Sequence, residues 1–152
     1  MRPLPIGIDD FKKLRENNFC YVDKSLFIQE LLDNRSEVSV FMRPRRFGKT
    51  LGLSMLKYYF EKGFDPDGNE IDNKKLFNGL NILNAGENYT KYMGQYPVIS
   101  LSLKCAKQPD FEMAYESLID EIAQEFDRHS HILLNSNLNS AEKIQYPHGG
   151  GH

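Results

Sequence analysis

Gly48, Lys49 and Thr50 stand between a mostly apolar run, residues 38–42, and a segment of helical periodicity that begins at Leu51. A glycine lets backbone amides approach an anion closely, a lysine supplies a positive charge for phosphate, and a threonine hydroxyl can ligate a magnesium ion. A strand, a short loop and a helix, in this order, are the parts of a phosphate-binding loop. The pattern therefore predicts a site for ATP with Mg²⁺, and GTP is the less favoured ligand.

The residues before the glycine depart from the general phosphate-loop pattern. That pattern has a glycine where Arg43 stands, and Pro44 favours extended backbone at Arg43, so the loop must enter its turn by another path. Two further arginines, Arg45 and Arg46, crowd the loop beside Lys49, which suits a triphosphate or a nucleic-acid backbone. Two alternatives stay open: a nucleic-acid-binding or protein-binding module that uses these four cations without nucleotide, and an ordinary helix start with solvated charges.

Four separated segments of the chain resemble one known family. They are residues 4–11, 21–28, 43–50 and 96–104, and the most characteristic is the sequence Arg-Pro-Arg-Arg-Phe-Gly-Lys-Thr after an apolar strand. With these motifs in this order, roughly residues 1–130 resemble the bacterial AAA-ATPase-like family. The phosphate loop of that family also lacks the first glycine, so the arginine at position 43 does not count against the resemblance.

The resemblance implies an ATP-binding protein that uses Mg²⁺, with Thr50 as the metal ligand. The residues expected to contact the nucleotide are consecutive: Arg45, Arg46, Phe47, Gly48, Lys49, Thr50 and Leu51. The resemblance also implies a second, acidic strand motif and a C-terminal domain of restriction-nuclease type, and we expect this chain to end before either. Nucleic acid is then a candidate partner of the full-length protein.

The composition is that of a globular protein. With 152 residues, 40% of them hydrophobic and 12% aromatic, the chain can bury one sizeable core. No run approaches the roughly 18 apolar residues of a membrane helix and no signal-peptide core is seen, so we expect a cytoplasmic protein. Cys20 and Cys105 are isolated, which argues against a disulfide framework or a zinc site. A net charge of −2 excludes a general cationic surface for nucleic acid.

Periodicity and capping residues predict where the helices and strands lie. Helices are expected at residues 9–16, 24–33, from Gly48 to Gly63, weakly at 73–83, and at 110–128. Strands are expected at residues 38–42 and 97–103, the second covered on both faces. Asp23 is the expected N-cap of the second helix, and Tyr21 is expected in the core. A contact of either residue with the nucleotide base or ribose is the less favoured alternative.

These elements predict an α/β fold, a partial P-loop NTPase whose mainly parallel sheet is incomplete and flanked by helices. The expected organisation is an N-terminal helical extension at residues 1–36, a partial nucleotide-binding domain at 37–130 and a flexible tail at 131–152. An incomplete sheet has an unpaired edge. This predicts self-association of the chain.

A carboxylate for the magnesium shell is hard to identify. The second predicted strand ends at Lys104, and Asp120 and Glu121 follow a helical period instead of ending an apolar strand. We expect both acids to be solvated residues of the long helix. The chain alone is therefore expected to bind nucleotide with little or no hydrolysis.

Overall fold

The computed structural model describes residues 2–42, 48–65, 68–104 and 106–130. Its α-helices are α1 (Phe11–Glu16), α2 (Phe27–Asn34), α3 (Lys49–Phe60), α4 (Glu87–Thr90) and α5 (Phe111–Arg128). Two 3₁₀ helices, Lys74–Phe77 and Asn81–Asn84, lie between α3 and α4 along the chain. Strands β1 (Gly63–Phe64) and β2 (Glu70–Ile71) form an antiparallel pair.

The described residues divide into two compact units. The first unit holds them up to Asp65 and again over Glu70–Val98, and the second holds residues 68–69 and the part from Ile99 onward. The first unit therefore contains α1 to α4, both strands and both 3₁₀ helices, whereas the second contains α5. The predicted domain boundary at residue 36 stays a prediction, and the predicted tail at 131–152 lies outside the described residues.

Aspartates cap the first and last helices, which begin within two residues of their predicted starts. Asp10 has an extended backbone conformation. Its side chain accepts a hydrogen bond of 2.7 Å from the amide of Lys13 at the start of α1. Asp110 does the same for α5, where the amide of Glu112 lies 3.3 Å from its carboxylate. Such side-chain acceptors satisfy amides that have no acceptor within the first turn of a helix.

Helix α2 begins later than predicted. Its first residue is Phe27 and its N-cap is Leu26, which provides no capping side chain. Asp23 instead accepts a hydrogen bond from the Ser25 amide at 2.8 Å, within the turn that precedes the helix. The prediction of Asp23 as N-cap is therefore wrong by three residues, because Asp23 caps a turn and not the helix itself.

The core of the first unit lies between α1, α2, α3 and the two 3₁₀ helices. Its buried members are Phe11, Ile28, Met55, Tyr59, Leu76, Phe77, Leu80, Ile82 and Met93. Three of the aromatic rings pack together, with 5.1 Å between the centroids of Phe11 and Phe77 and 5.2 Å between those of Tyr59 and Phe77. The weak helix predicted over residues 73–83 is thus two short 3₁₀ helices that supply three of these nine core residues, Leu76, Phe77 and Ile82.

Alkaline pH is expected to destabilise the first unit. Burial raises the pKa of Tyr59 from an ordinary 10.0 to about 12, and the Tyr59 hydroxyl donates to the carbonyl of Tyr89 at 3.1 Å. The folded state keeps this proton when the unfolded chain releases it. The resulting contribution to stability is complete below about pH 10 and is lost as the pH rises toward the folded pKa.

Urea unfolding of the wild type and of Tyr59→Phe, at several pH values on both sides of about 10, measures this effect. The variant lacks the hydrogen bond to Tyr89 and should be less stable by about 1 kcal/mol at neutral pH. Because the variant has no proton to lose at this position, the two curves of unfolding free energy against pH should converge above pH 10. Curves that stay parallel would contradict the assignment.

Neither predicted strand is a strand in the structure. In the segment 38–42, Val38, Val40 and Met42 are 79%, 78% and 89% exposed. In the segment 97–103, the amides of Ser100 and Ser102 donate to side-chain carboxylates of α5 instead of to a neighbouring strand. Among the described residues, the only parallel pairing is an isolated bridge between Glu61 and Tyr96. Extended segments become strands only where a second backbone pairs with them.

The described part of the chain is thus mixed α/β, with one two-stranded antiparallel sheet. The mainly parallel sheet expected from the sequence is not seen in it. In the second unit, α5 spans the predicted residues, but its apolar face is largely exposed, with Phe111 at 76% and Tyr115 at 56%. None of the described helices is long and apolar enough to cross a membrane.

Candidate functional site

Helix α3 begins at a glycine whose backbone conformation other residues adopt only with strain. Gly48 is the N-cap, with φ of +72° in the left-handed region, and its carbonyl accepts the first helical hydrogen bond, from the Gly52 amide at 2.8 Å. Helix geometry leaves the first amides of α3 without an acceptor inside the helix. Gly48 has no side chain to supply one, in contrast to the aspartates that begin α1 and α5.

The charge at this helix start favours an anion. The first turn of α3 contains no acidic residue, and Lys49 stands there as an exposed cation. The positive end of a helix dipole is an unfavourable place for a lysine, by a few tenths of a kcal/mol to about 1 kcal/mol. A bound phosphate would remove that conflict, because it would accept from the first-turn amides and pair with the ammonium group.

The structure places four of the seven expected nucleotide contacts. Gly48, Lys49 and Thr50 are exposed and consecutive at the start of α3, while Leu51 is half-buried against the core. The other three, Arg45, Arg46 and Phe47, lie outside the described residues, as do Arg43 and Pro44. The predicted helix opening after Gly48 is confirmed, and the role of these residues as a binding site stays a prediction.

A cavity of about 580 Å³ adjoins the start of α3. Separate parts of the first unit line it, and apolar side chains predominate: Leu4, Pro5, Leu14, Cys20, Tyr21, Val22, Lys24, Phe27, Ser39, Val40, Phe41, Gly48, Lys49, Leu51, Gly52, Leu53 and Met55. The sequence did not predict it, since these segments are far apart along the chain. The one local signal was Gly52, a glycine inside a helical pattern.

Tyr21 and Asp23 have different surroundings. The less favoured alternative from the sequence was that either residue contacts the nucleotide base or ribose. Tyr21 lines the cavity, where its hydroxyl lies 3.3 Å from the sulfur of Met55, and burial raises its pKa. Asp23 accepts from the backbone amides of Ser25 and Asn81, both at 2.8 Å. Burial works against the charge of Asp23, but these hydrogen bonds hold the pKa of Asp23 below its usual value. Asp23 therefore stabilises the turn before α2 and the start of the second 3₁₀ helix.

A polar contact between α1 and α3 fixes the helix that carries the candidate site. One oxygen of Asp10 caps α1, and its other oxygen accepts from the hydroxyls of Ser54 at 3.3 Å and Tyr58 at 3.0 Å. The Ser54 hydroxyl also accepts from the Phe11 amide at 2.9 Å. Ser54 and Tyr58 are four residues apart and so share one face of α3. We call this set of contacts the Asp10 clasp.

The acids weighed for a magnesium shell lie in the second unit. Asp120 is exposed on α5, as expected, whereas Glu121 accepts a hydrogen bond from the Ser102 amide at 3.0 Å and is not merely solvated. Its neighbour one turn on, Glu125, accepts from the Ser100 amide at 2.7 Å. Within the described ranges, no group of three or more His, Cys, Asp or Glu side chains could hold a metal ion.

Comparison with known proteins identifies the family. The family described as "Predicted AAA-ATPase" matches residues 5–146. A protein of Azotobacter chroococcum mcd 1, described as "Uncharacterized protein in vnfD 5'region", is 35% identical over 102 residues, which cover 66% of this chain and 17% of that relative. The chain thus spans less than a fifth of the relative's length, and no solved structure matches it significantly. Since the family match covers far more than half of its residues, the chain belongs to the AAA-ATPase-like family.

Proposed function

We propose that this chain binds ATP with Mg²⁺ at the start of α3. The single observation that carries the proposal is the uncapped first turn, where Gly48 is left-handed, Lys49 is exposed and no acid is present. Membership of the AAA-ATPase-like family supports nucleotide binding in general. In this proposal the amides of the first turn and the Lys49 ammonium hold the β- and γ-phosphates, and Arg45, Arg46, Phe47 and Leu51 complete the contacts.

Thr50 would hold the magnesium ion together with the phosphate oxygens. Mg²⁺ usually keeps several waters and takes only one or two protein ligands beside phosphates. The single exposed hydroxyl of Thr50 at the helix start fits that requirement, and a cage of protein carboxylates is not needed. The bound ion would neutralise charge on the phosphates.

We further propose that the chain binds nucleotide without appreciable turnover on its own. Hydrolysis by P-loop enzymes uses an acid near the metal and a positioned water. The described residues that line the cavity beside Gly48 include no Asp or Glu. Activity of the whole protein would then depend on residues beyond those described.

We also propose that two segments of the chain become strands when further backbone pairs with them. Residues 38–42 directly precede the loop and 97–103 are apolar at most positions, so we assign both to strands of a mainly parallel sheet that forms once neighbouring backbone is present. Most apolar side chains of both segments are exposed, for example Val40 at 78% and Ile99 at 73%. Self-association of the chain through these unpaired segments follows from the same exposure.

Lys49→Ala is expected to weaken ATP binding by about one to two orders of magnitude, since a charge-assisted contact to phosphate contributes about 1.5–3 kcal/mol. Calorimetric titration of ATP with Mg²⁺ into the wild type and the variant measures this. The matched control is Lys57→Ala, which removes the same charge from the last turn of the same helix and lies outside the cavity. It should bind ATP like the wild type.

Equal affinities of the wild type and Lys49→Ala would refute the proposal. The alternative hypothesis, in which the cations bind a nucleic-acid backbone, predicts a different result. Binding of duplex DNA would then weaken with salt, by a slope of nearly one per phosphate neutralised, and would not require Mg²⁺. Phosphate release in the ATP samples should stay far below about 1 per second, the lower end of ordinary kinase rates.

A further inference from the structure

One face of α5, in the second unit, is apolar and exposed. Five of its side chains lie three or four residues apart, and an α-helix brings residues at this spacing onto one side. They are Phe111, Tyr115, Ile119, Ile122 and Phe126, with exposed fractions between 37% and 76%. We call them the α5 apolar face. A large group of exposed apolar side chains commonly marks a place where another molecule binds.

One edge of this face is occupied by the second unit itself. Glu121 and Glu125, which are four residues apart on α5, accept hydrogen bonds from the amides of Ser102 at 3.0 Å and Ser100 at 2.7 Å. The segment 99–103 therefore lies along this edge of the helix. A partner that covers the apolar face would meet this segment on one side and the bare surface of α5 on the other.

Exposed acids border the other edge of the α5 apolar face. Glu112, Glu116 and Asp120 recur every four residues, and all three are exposed. Since each residue advances an α-helix by about 100°, these acids lie beside the apolar face on the side away from residues 99–103. We call them the acidic row. Helix α5 as a whole has six acidic residues and one basic residue, so its net charge is −5.

The charge of α5 limits what can cover its apolar face. A second copy of α5 would bring like charges together in either orientation, because both edges of the face are acidic, and such a juxtaposition is costly. An anionic membrane surface would be repelled for the same reason. A positively charged partner would instead be attracted to the acidic row. The favoured occupant is therefore both apolar and basic.

The described part of the chain does not offer such an occupant. Its helices with a net positive charge are α1, α3 and the 3₁₀ helix Lys74–Phe77. All three contribute apolar side chains to the core of the first unit. Because the same side chains cannot be buried in two places, these helices are not available to α5. The occupant then belongs to another protein.

We propose that the α5 apolar face binds a basic amphipathic helix of a partner protein. The apolar residues of that helix, three and four positions apart, would pack on the face, as in the helix-in-groove mode of recognition. Its lysines and arginines would pair with the acidic row. The inference goes beyond nucleotide binding, since α5 lies in the second unit and the proposed phosphate site in the first. Either can fail without the other.

Fluorescence anisotropy of a labelled peptide tests the proposal on the whole chain. The probe is a synthetic peptide of leucine and lysine with the 18-residue length of α5, whose leucines recur three and four residues apart. One control peptide has the same composition in shuffled order, and the other has glutamate in place of lysine. The chain should bind the probe at least about tenfold more tightly than either control, and more weakly as salt rises. Equal affinities for the probe and either control would overturn the proposal.

Substitutions on α5 show whether the probe binds there. Ile119→Gln removes apolar surface from an exposed position and keeps a good helix former, so the probe should bind at least about tenfold more weakly to a folded variant. Glu116→Lys combined with Asp120→Lys reverses most of the acidic row and should weaken binding by a similar factor. The matched control, Glu30→Lys with Glu37→Lys, makes the same change of charge at exposed positions of the first unit. It should bind the probe like the wild type.

Two results would contradict the proposal. Wild-type affinity of Ile119→Gln for the probe would mean that the probe binds elsewhere. A wild type that is dimeric by light scattering, with a monomeric Ile119→Gln, would assign the face to a second copy of the chain. Self-association through the unpaired segments would instead persist in this variant. Circular dichroism of Ile119→Gln that matches the wild type excludes unfolding as the cause of any change.

Discussion

Phe77→Ala is expected to lower the free energy of unfolding of the first unit by about 3–5 kcal/mol. The side chain of Phe77 is fully buried, and its ring contacts those of Phe11 and Tyr59. Its removal takes away the apolar contacts of this ring with the other two and leaves a cavity that a short 3₁₀ helix cannot close easily. Since natural domains have a total stability of about 5–15 kcal/mol, the variant should be partly unfolded at moderate temperature.

Urea unfolding followed by far-ultraviolet circular dichroism measures this loss, because the chain contains no tryptophan for fluorescence. Phe111→Ala is the matched control. It deletes the same atoms from a side chain that is 76% exposed on α5, and it should cost less than about 0.5 kcal/mol. If both variants unfold at the same urea concentration as the wild type, the 3₁₀ segment is not part of the stable core.

Phe77 also shows why the core was only partly predictable. Helical periodicity identifies a buried stripe in a long helix. For α3 that stripe is Leu51, Met55, Leu56, Tyr59 and Phe60, of which Met55 and Tyr59 are buried and the other three are half-buried. A four-residue 3₁₀ helix has no such periodicity. The burial of Phe77 depends on α1 and α3, which are distant in sequence, so no window around residue 77 could have indicated it.

The starts of α1, α3 and α5 were predictable to within two residues because their physics is local, whereas the start of α2 was not. Asp10 and Asp110 accept hydrogen bonds from amides two or three residues ahead, and Gly48 needs only its own freedom of φ. Strands differ, because an extended segment needs a partner backbone. Residues 38–42 and 97–103 have strand-like sequences, yet the described part of the chain does not supply neighbours for them. Most of their apolar side chains consequently remain exposed.

The candidate site was likewise predictable only where its residues are consecutive in the chain. Gly48, Lys49 and Thr50 are consecutive, so the sequence alone could predict that they share the start of a helix. The cavity beside them is built from segments as far apart as residues 4–5 and 51–55. Its apolar side chains, read singly, are indistinguishable from core residues. Only the folded chain shows that they surround open space and that Gly52 leaves that space unfilled.

Asp10→Ala is expected to destabilise the first unit by about 2–3 kcal/mol. The substitution removes the cap of α1, which contributes about 1 kcal/mol, and breaks the Asp10 clasp to Ser54 and Tyr58. Hydrogen bonds to a charged group are worth about 1.5–3 kcal/mol when buried, and the partial exposure of Asp10 reduces that figure. Asp110→Ala is the matched control, since it removes only a cap and should cost about 1 kcal/mol.

Asp10→Asn keeps a capping side chain for α1 but removes the negative charge from the Asp10 clasp. Asparagine caps a helix about as well as aspartate, so this variant should lose less stability than Asp10→Ala. Burial, followed by the charge and the hydrogen bond of Asp10, raises the pKa of Tyr58. Ultraviolet titration of tyrosinate should therefore show one tyrosine ionising at lower pH in Asp10→Asn than in the wild type. An unchanged titration, or equal losses for Asp10→Ala and Asp110→Ala, would mean that Asp10 acts only as a cap and that α3 is positioned by its buried face alone.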